Sequence, residues 1–168
     1  MSKTKSGFTI VELLIVIVVI GILAAITIVA YNGFQTRARD TIRMSDIKSI
    51  QKLVELYYAE NGVYPPSSNG ANWAGLCSSF GSTENYVPSL LTYTSKLPLD
   101  PRWKTADNKC YLYISNGIDY MLLAWGAMEG ICGGDPGNSC NSPEIRAMDR
   151  QNYIELSIAV YSPGARLW

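Results

Sequence analysis

The first sixty residues combine one long hydrophobic stretch with a second stretch in which hydrophobic positions recur at helical spacing. Leu13 to Ala30 contains no charged residue, and Glu12 is the single ionised group between Phe8 and Ala30. The 23 residues from Phe8 to Ala30 would form about 35 Å of helix at 1.5 Å per residue. A hydrocarbon core is about 30 Å thick. The pattern therefore predicts a membrane-spanning helix over residues 8–30.

Two simple interpretations compete for this segment. A secretory signal peptide would end at a small-x-small cleavage site, but the hydrophobic residues continue past the weak candidates at Gly21 to Ala25. A plain anchor would place Lys3 and Lys5 on the cytoplasmic side. Neither interpretation explains Glu12, because an acid inside an apolar span is costly unless it has a partner. Glu12 is therefore a candidate functional residue that requires a cation.

From residue 31 the helical pattern changes from uniformly hydrophobic to amphipathic. At 100° per residue the hydrophobic positions fall within an arc of about 160°, and Arg43 and Asp46 are the charged residues inside that arc. The pattern predicts a helix over residues 31–61 that packs on its own domain and ends at Asn61-Gly62. A partner-binding groove is the alternative. The positions in the arc are Ile42, Ile47, Ile50, Leu53, Val54, Tyr57 and Tyr58.

The rest of the chain predicts a loop region followed by a small sheet. Residues 62–109 are rich in turn residues, with a short helix expected near Trp73 to Phe80. Strands are predicted over residues 110–115 and 120–125, joined at Asn116-Gly117 as a hairpin. Residues 153–162 predict a third strand. Its inward face would carry Ile154, Leu156, Ile158 and Val160.

These elements predict the α+β class: a long amino-terminal α-helix packed on a small antiparallel β-sheet. The composition argues against several classes of function. The 168 residues carry 14 basic and 14 acidic side chains and no histidine, which removes the commonest general base and zinc ligand. Nucleotide-binding, hydrolase and redox motifs are also missing from the sequence. We therefore expect no enzymatic activity and no cofactor.

The stretch GFTIVELLIVIVVIGILAAITIVAYNGF resembles the amino terminus of type IV pilins and pseudopilins. The resemblance implies that residues 1–7 are a leader peptide, cut between Gly7 and Phe8, and that Phe8 is then N-methylated. Glu12 takes the place of the family's acid, five residues into the mature chain. Val29 stands where many members have proline. A second resemblance lies in LPLDPRW followed by CYLYISNGIDYMLLA.

This resemblance implies a structural subunit that polymerises into a helical filament of identical subunits through its hydrophobic helix. Glu12 would pair with the methylated amine of a neighbouring subunit. The implied partners are the cytoplasmic membrane, a prepilin peptidase and the pilus assembly machinery. The precursor would lie in the cytoplasmic membrane and the filament on the cell surface, serving adhesion, twitching motility or DNA uptake. The alternatives are a pseudopilin of a secretion or competence system and a singly anchored extracytoplasmic binding domain.

The four cysteines, at 77, 110, 132 and 140, follow the membrane segment and would face the oxidising side. Four cysteines permit three pairings. Cys132 and Cys140 bracket a turn-rich loop that closes easily, which leaves Cys77 with Cys110. Residues 110–168 are thus expected to form a sheet with a disulfide-bonded carboxyl-terminal region. A zinc site is the alternative, although the sequence has no CxxC pair.

Two weaker signals concern ligands. Glu129 and Asp135 are possible calcium ligands, and acids that merely solvate a loop are the alternative. Four cations around Trp103 are possible DNA contacts, with a solvated surface as the simpler explanation. Without Lys3 and Lys5 the mature chain has 12 basic and 14 acidic residues, so its net charge gives DNA binding no support. The four cations are Lys96, Arg102, Lys104 and Lys109.

Overall fold

The computed structural model describes residues 9–77, 83–103, 109–129 and 157–167. Contacts divide the chain into two compact units, Met1–Thr36 and Arg37–Trp168. A single helix, α1 (Ile10–Asn61), contributes residues to both units. In the first unit the described residues are helical from Ile10 onward. We call the second unit the head.

The head contains a four-stranded antiparallel sheet with the strand order β1-β2-β3-β4. Its strands are β1 (Ala74–Gly75), β2 (Cys110–Ser115), β3 (Tyr120–Trp125) and β4 (Ile158–Tyr161). Short 3-10 helices lie at Pro88–Thr92 and Pro163–Leu167. Consecutive strands are neighbours in the sheet, so each strand packs beside the one that precedes it in the chain.

The predicted hairpin between β2 and β3 is confirmed over residues 110–115 and 120–125. Gly117 has a φ of +86°, a conformation that glycine adopts without a steric penalty. Asn116 Oδ1 accepts hydrogen bonds from the backbone N–H groups of Ile118 (2.9 Å) and Asp119 (2.8 Å). Asparagine side chains commonly stabilise turns in this way. The Asn-Gly pair therefore closes the hairpin, in a four-residue loop rather than a two-residue one.

The core of the head lies between α1 and one face of the sheet. Ile47, Ile50 and Val54 of α1 are buried against residues of all four strands, which confirms that the amphipathic half packs on its own domain. Ile42 and Tyr58, at the edges of the predicted arc, are exposed. The helix ends as predicted: Gly62 has a φ of +72°, and its N–H bonds to the Tyr58 carbonyl at 2.8 Å.

The opposite face of the sheet is buried as well. Leu112, Met121, Leu123 and Ala159 form a second cluster there, where the sequence pattern led us to expect one buried face. Burial on both faces explains why β2 and β3 are almost continuously hydrophobic rather than alternating.

The short helix predicted near Trp73 to Phe80 is wrong in the described part of that segment. Ala74 and Gly75 form β1 instead, paired with Tyr113 and Leu112 of β2. Tertiary pairing outweighs local preference here. The predicted third strand is confirmed over Ile158–Tyr161 as β4, with Ile158 and Val160 on the α1 side. Residues 153–156 lie outside the described residues.

Candidate assembly surface

The amino-terminal part of α1 presents hydrophobic side chains to solvent in every direction. Each residue from Thr9 to Ile28 is exposed, and the large hydrophobic side chains keep between 47 and 86% of their area accessible. Among the described residues, α1 is the one helix long and apolar enough to cross a membrane. A side chain of this kind gains about 1.5–3 kcal/mol when it leaves water. This surface therefore requires lipid or other apolar helices around it.

Thr9 and Glu12 form a reciprocal hydrogen-bonded pair at the start of α1. The Thr9 backbone N–H and hydroxyl both donate to Glu12 Oε2, at 2.8 and 2.7 Å. The Glu12 N–H donates to Thr9 Oγ1 at 3.3 Å. This is the capping-box arrangement, in which the Thr-x-x-Glu spacing satisfies backbone donors that the first turn leaves unpaired. The pair fixes the direction of the Glu12 side chain.

The capping box leaves part of the Glu12 carboxylate available. Both bonds from Thr9 fall on Oε2, and a carboxylate offers about four acceptor positions on its two oxygens. Within the described residues, Oε1 accepts no hydrogen bond. A cation brought by another chain can therefore approach Oε1 without breaking the cap. The sequence predicted that Glu12 needs a cation. It did not predict that Thr9 caps the helix, although the Thr-x-x-Glu spacing is present in the sequence.

Polar side chains return to the helix about four turns after Glu12, beginning with Thr27. Thr27 Oγ1 donates to the Leu23 and Ala24 carbonyls, each at 3.0 Å. Gln35 Nε2 donates to the Tyr31 hydroxyl at 2.6 Å. Tyrosine is enriched where a helix leaves the hydrocarbon for the headgroup region. These contacts mark the end of the hydrophobic surface.

The disulfide between Cys77 and Cys110 is present, with 5.8 Å between the two Cα atoms. Cys110 is the first residue of β2, and Cys77 follows β1 by two positions. The bond therefore fastens the short edge strand to the sheet. Several other predicted residues lie outside the described residues, so the structure gives no account of them. They are Gly7, Phe8, Lys104, Cys132, Asp135 and Cys140.

Arg43 is fully buried in the head together with Asp40 and Asp100. Its guanidinium donates to both oxygens of Asp100, at 2.7 and 3.1 Å, and to Asp40 Oδ1 at 2.8 Å. A further ion pair joins Arg43 Nη2 to Glu129 Oε1 at 2.8 Å. Burial disfavours the charged guanidinium, but these three carboxylates outweigh it and raise the pKa of Arg43. Arg43 is thus held as a charged, satisfied group.

Glu129 joins the buried Arg43 to two more exposed arginines, Arg39 and Arg102. Arg39 binds both of its oxygens, at 3.1 and 2.6 Å, and Arg102 approaches Oε2 at 3.4 Å. Burial alone would raise the pKa of Glu129, but Arg39 and Arg43 lower it to about 2. The Glu129 N–H donates to the Asp40 carboxylate. We call these six residues the arginine cluster: Arg39, Asp40, Arg43, Asp100, Arg102 and Glu129.

The arginine cluster changes the interpretation of both weaker ligand signals. Glu129, a possible calcium ligand, already binds three arginines. Arg102, a possible DNA contact, bonds to Glu129 and donates its N–H to Asp100 at 2.8 Å. The Asp100-Pro101 step of the LPLDP segment thus joins the loop to α1. The sequence carried one signal of this cluster, which was the charge of Arg43 inside a hydrophobic arc.

Comparison with known proteins places the chain among filament subunits. A family model for the prokaryotic N-terminal methylation motif matches residues 2–28. The type II secretion system core protein G of Pseudomonas aeruginosa is 30% identical over 149 residues, which cover 88% of this chain and 97% of that protein. The corresponding protein of Vibrio cholerae is 29% identical over 76% of this chain and 86% of its own length.

The type IV major pilin protein PilE of Neisseria gonorrhoeae is 33% identical over 87 residues, which cover 52% of this chain and 50% of that pilin. No solved structure matches the chain. The relatives are structural proteins rather than enzymes, and the long helix packed on a four-stranded antiparallel sheet agrees with them. The chain therefore belongs to the family of type IV pilins and pseudopilins.

Proposed function

We propose that the chain is the repeating subunit of a type IV pilus-like filament on the cell surface, assembled through residues 8–30. The exposure of every side chain from Thr9 to Ile28 carries this proposal. Such a surface is stable in lipid before assembly and among identical helices after it. Helices associate in lipid through close side-chain contact and through hydrogen-bonded polar groups. Each polar residue in the segment therefore affects how the helices associate.

Processing and assembly would use the residues at the start of the helix. The prepilin peptidase cuts between Gly7 and Phe8 and methylates Phe8, which leaves a charged secondary amine. That amine of one subunit binds Glu12 of a neighbour, and the unused Oε1 supports this pairing. A misplaced subunit would leave both charges unmatched in a low-dielectric environment, where each is costly. The ion pair therefore selects the correct position during insertion.

The proposed path of the subunit runs from the cytoplasmic membrane to the cell surface. Residues 1–7 stay in the cytoplasm until cleavage, residues 8–30 span the membrane, and the head forms on the outer side. The Cys77–Cys110 disulfide supports an oxidising location for the head. A disulfide between Cys132 and Cys140 is proposed in addition. The assembly machinery then lifts the subunit from the membrane into the filament.

A second candidate is a pseudopilus that drives protein secretion. The observation in its favour is the length of the similarity: the match to the secretion protein of Pseudomonas aeruginosa covers 97% of that protein, whereas the match to PilE covers 50% of the pilin. Both candidates require the same helix and the same Glu12. They differ in where the filament ends, because a pseudopilus does not extend as surface fibres.

The test is mass spectrometry of material sheared from cells that express the chain at its native level. The surface-pilus proposal expects fibres made of a chain that begins at Phe8 and carries one added methyl group. A processed chain that stays with the cells, together with loss of secreted proteins when the gene is deleted, would favour the pseudopilus. A chain that retains Met1 and forms no fibres would contradict both candidates.

A further inference from the structure

The face of α1 that the head leaves uncovered carries its charges in two separate blocks. Between Arg37 and Lys52 the exposed charged residues are all cations, namely Arg37, Lys48 and Lys52. The two exposed charged residues that follow, Glu55 and Glu60, are both carboxylates. At 100° per residue all five fall within an arc of about 140°. One helix face is therefore basic along its first part and acidic along its last part.

Within the described residues, no salt bridge joins these five charges to a group of opposite charge. None of the three cations pairs with an acid in the part of the chain that the structure describes. Glu55 accepts hydrogen bonds from the Tyr120 and Tyr64 hydroxyls, at 2.9 and 3.4 Å. Glu60 accepts one from the Tyr93 hydroxyl. A phenol hydroxyl orients a carboxylate but supplies no positive charge to pair with it.

We propose that this face docks a second copy of the chain, parallel and displaced along the helix axis, so that the basic block of one subunit lies against the acidic block of its neighbour. The inference rests on the proposed filament. All subunits enter the membrane in the same orientation, which makes neighbouring helices parallel. Each block also exposes a hydrophobic side chain, with Ile42 in the basic block and Leu56 in the acidic one.

The charge pattern favours a parallel pair of helices displaced along their axes over a parallel pair without displacement. In a parallel pair without displacement, like blocks would lie side by side and repel. The centres of the two blocks are about 12 residues apart, or about 18 Å along the helix. A displacement near that value brings opposite charges together, and complementary charge fixes register more strongly than it raises affinity. The face therefore sets the stagger between neighbouring heads.

A charge swap tests the proposal in cells that assemble the wild-type filament. Lys48 and Glu60 are the chosen pair, because they lie 12 positions apart, about 18 Å along the helix, which excludes a direct contact within one chain. Lys48→Glu and Glu60→Lys should each lower the amount of sheared filament at least about fivefold relative to membrane-inserted subunit. The double variant should return to within about twofold of wild type. Lys96→Glu, an exposed cation outside this face, is the matched control and should assemble normally.

Cross-linking gives an independent readout. A carbodiimide joins an amine directly to a carboxylate in contact with it, so a Lys48–Glu60 link in wild-type filaments must connect two subunits. Single reversals that assemble like wild type, or a double variant that stays defective, would overturn the docking proposal while the filament proposal stands. A defect in Lys48→Glu alone would indicate another partner for the basic block, such as an anionic lipid. Failure of wild type to form filaments would instead refute the proposed function.

Discussion

The two parts of α1 reverse the usual relation between polarity and burial. Between Ile10 and Ile28 the helix exposes a nearly continuous hydrophobic surface, while farther along it buries the charged groups of Arg43 and Asp40 completely. The difference lies in where each part finds its partners. The head supplies three carboxylates for Arg43 from its own chain, whereas the hydrophobic part depends on lipid or on other subunits. The groups that α1 buries in the head thus serve folding, whereas its exposed hydrophobic part serves assembly.

This division predicts that the two parts can be damaged separately. A change in the hydrophobic part should alter assembly and leave the stability of the head unchanged. A change in the arginine cluster should alter the stability of the head first. Measurements of filament yield and of the free energy of unfolding therefore distinguish the two parts. A variant that lowered both quantities to a similar extent would argue against the division.

The largest expected effect is that of Glu12→Ala on filament yield. The variant should insert in the membrane and lose sheared filaments, because the incoming amine would have no partner. Thermal unfolding of the head, followed by circular dichroism in detergent, should match wild type. Glu12→Gln is the matched control: glutamine can keep the capping box but carries no charge. Normal filaments from Glu12→Gln would assign the role of Glu12 to the cap rather than to the charge.

Arg43→Ala should produce the largest loss of head stability. Its removal leaves Asp40, Asp100 and Glu129 without their shared cation, and breaking a buried ion pair costs about 3–5 kcal/mol. Urea unfolding of the full chain in detergent would measure this loss. Arg37→Ala, at an exposed position of the same helix, should change the free energy of unfolding by less than about 0.5 kcal/mol. Equal stability of the Arg43 and Arg37 variants would show that the cluster contributes nothing.

Local sequence patterns predicted the parts of this fold that local chemistry controls. The hairpin followed from Asn116-Gly117, the end of α1 from Gly62, and the buried helix face from the spacing of Ile47, Ile50 and Val54. The capping box of Thr9 and Glu12 was not predicted, although the two residues lie only three positions apart. In each case the interacting groups are near neighbours in the sequence or share one helix face.

Contacts between distant residues were harder to predict. Asp100 lies 57 positions from Arg43, and Glu129 lies 90 positions from Arg39, so spacing alone could not pair them. Ala74 and Gly75 gave no strand signal because β1 consists of two residues held by β2 and the disulfide. The second buried face of the sheet was also not predicted, although continuous hydrophobic runs such as those of β2 and β3 are typical of strands buried on both faces.

Loss of the Cys77–Cys110 disulfide should have the next largest effect on stability. The bond closes a loop with a sequence separation of 33, and the chain-entropy estimate for such a loop is about 3–4 kcal/mol. Replacing both cysteines with serine should lower the free energy of unfolding by that amount and free the edge strand β1. Wild type measured with reductant is the companion experiment. A variant as stable as oxidised wild type would show that hydrogen bonding alone holds β1.

The smallest predicted effect is the pH dependence contributed by Glu129. The arginines lower its pKa from 4.5 to about 2 in the folded head, so the unfolded chain binds the proton more readily between these values. Stability from Glu129 is therefore complete above about pH 4.5 and is lost as the pH falls through 2, by about 3 kcal/mol. Glu129→Gln should be destabilised by that amount at pH 7 and should match wild type near pH 2. Glu84→Gln, an exposed carboxylate in the head, should follow wild type at every pH. If Glu129→Gln and wild type lose stability in parallel on acidification, the arginines do not hold this carboxylate in its charged form.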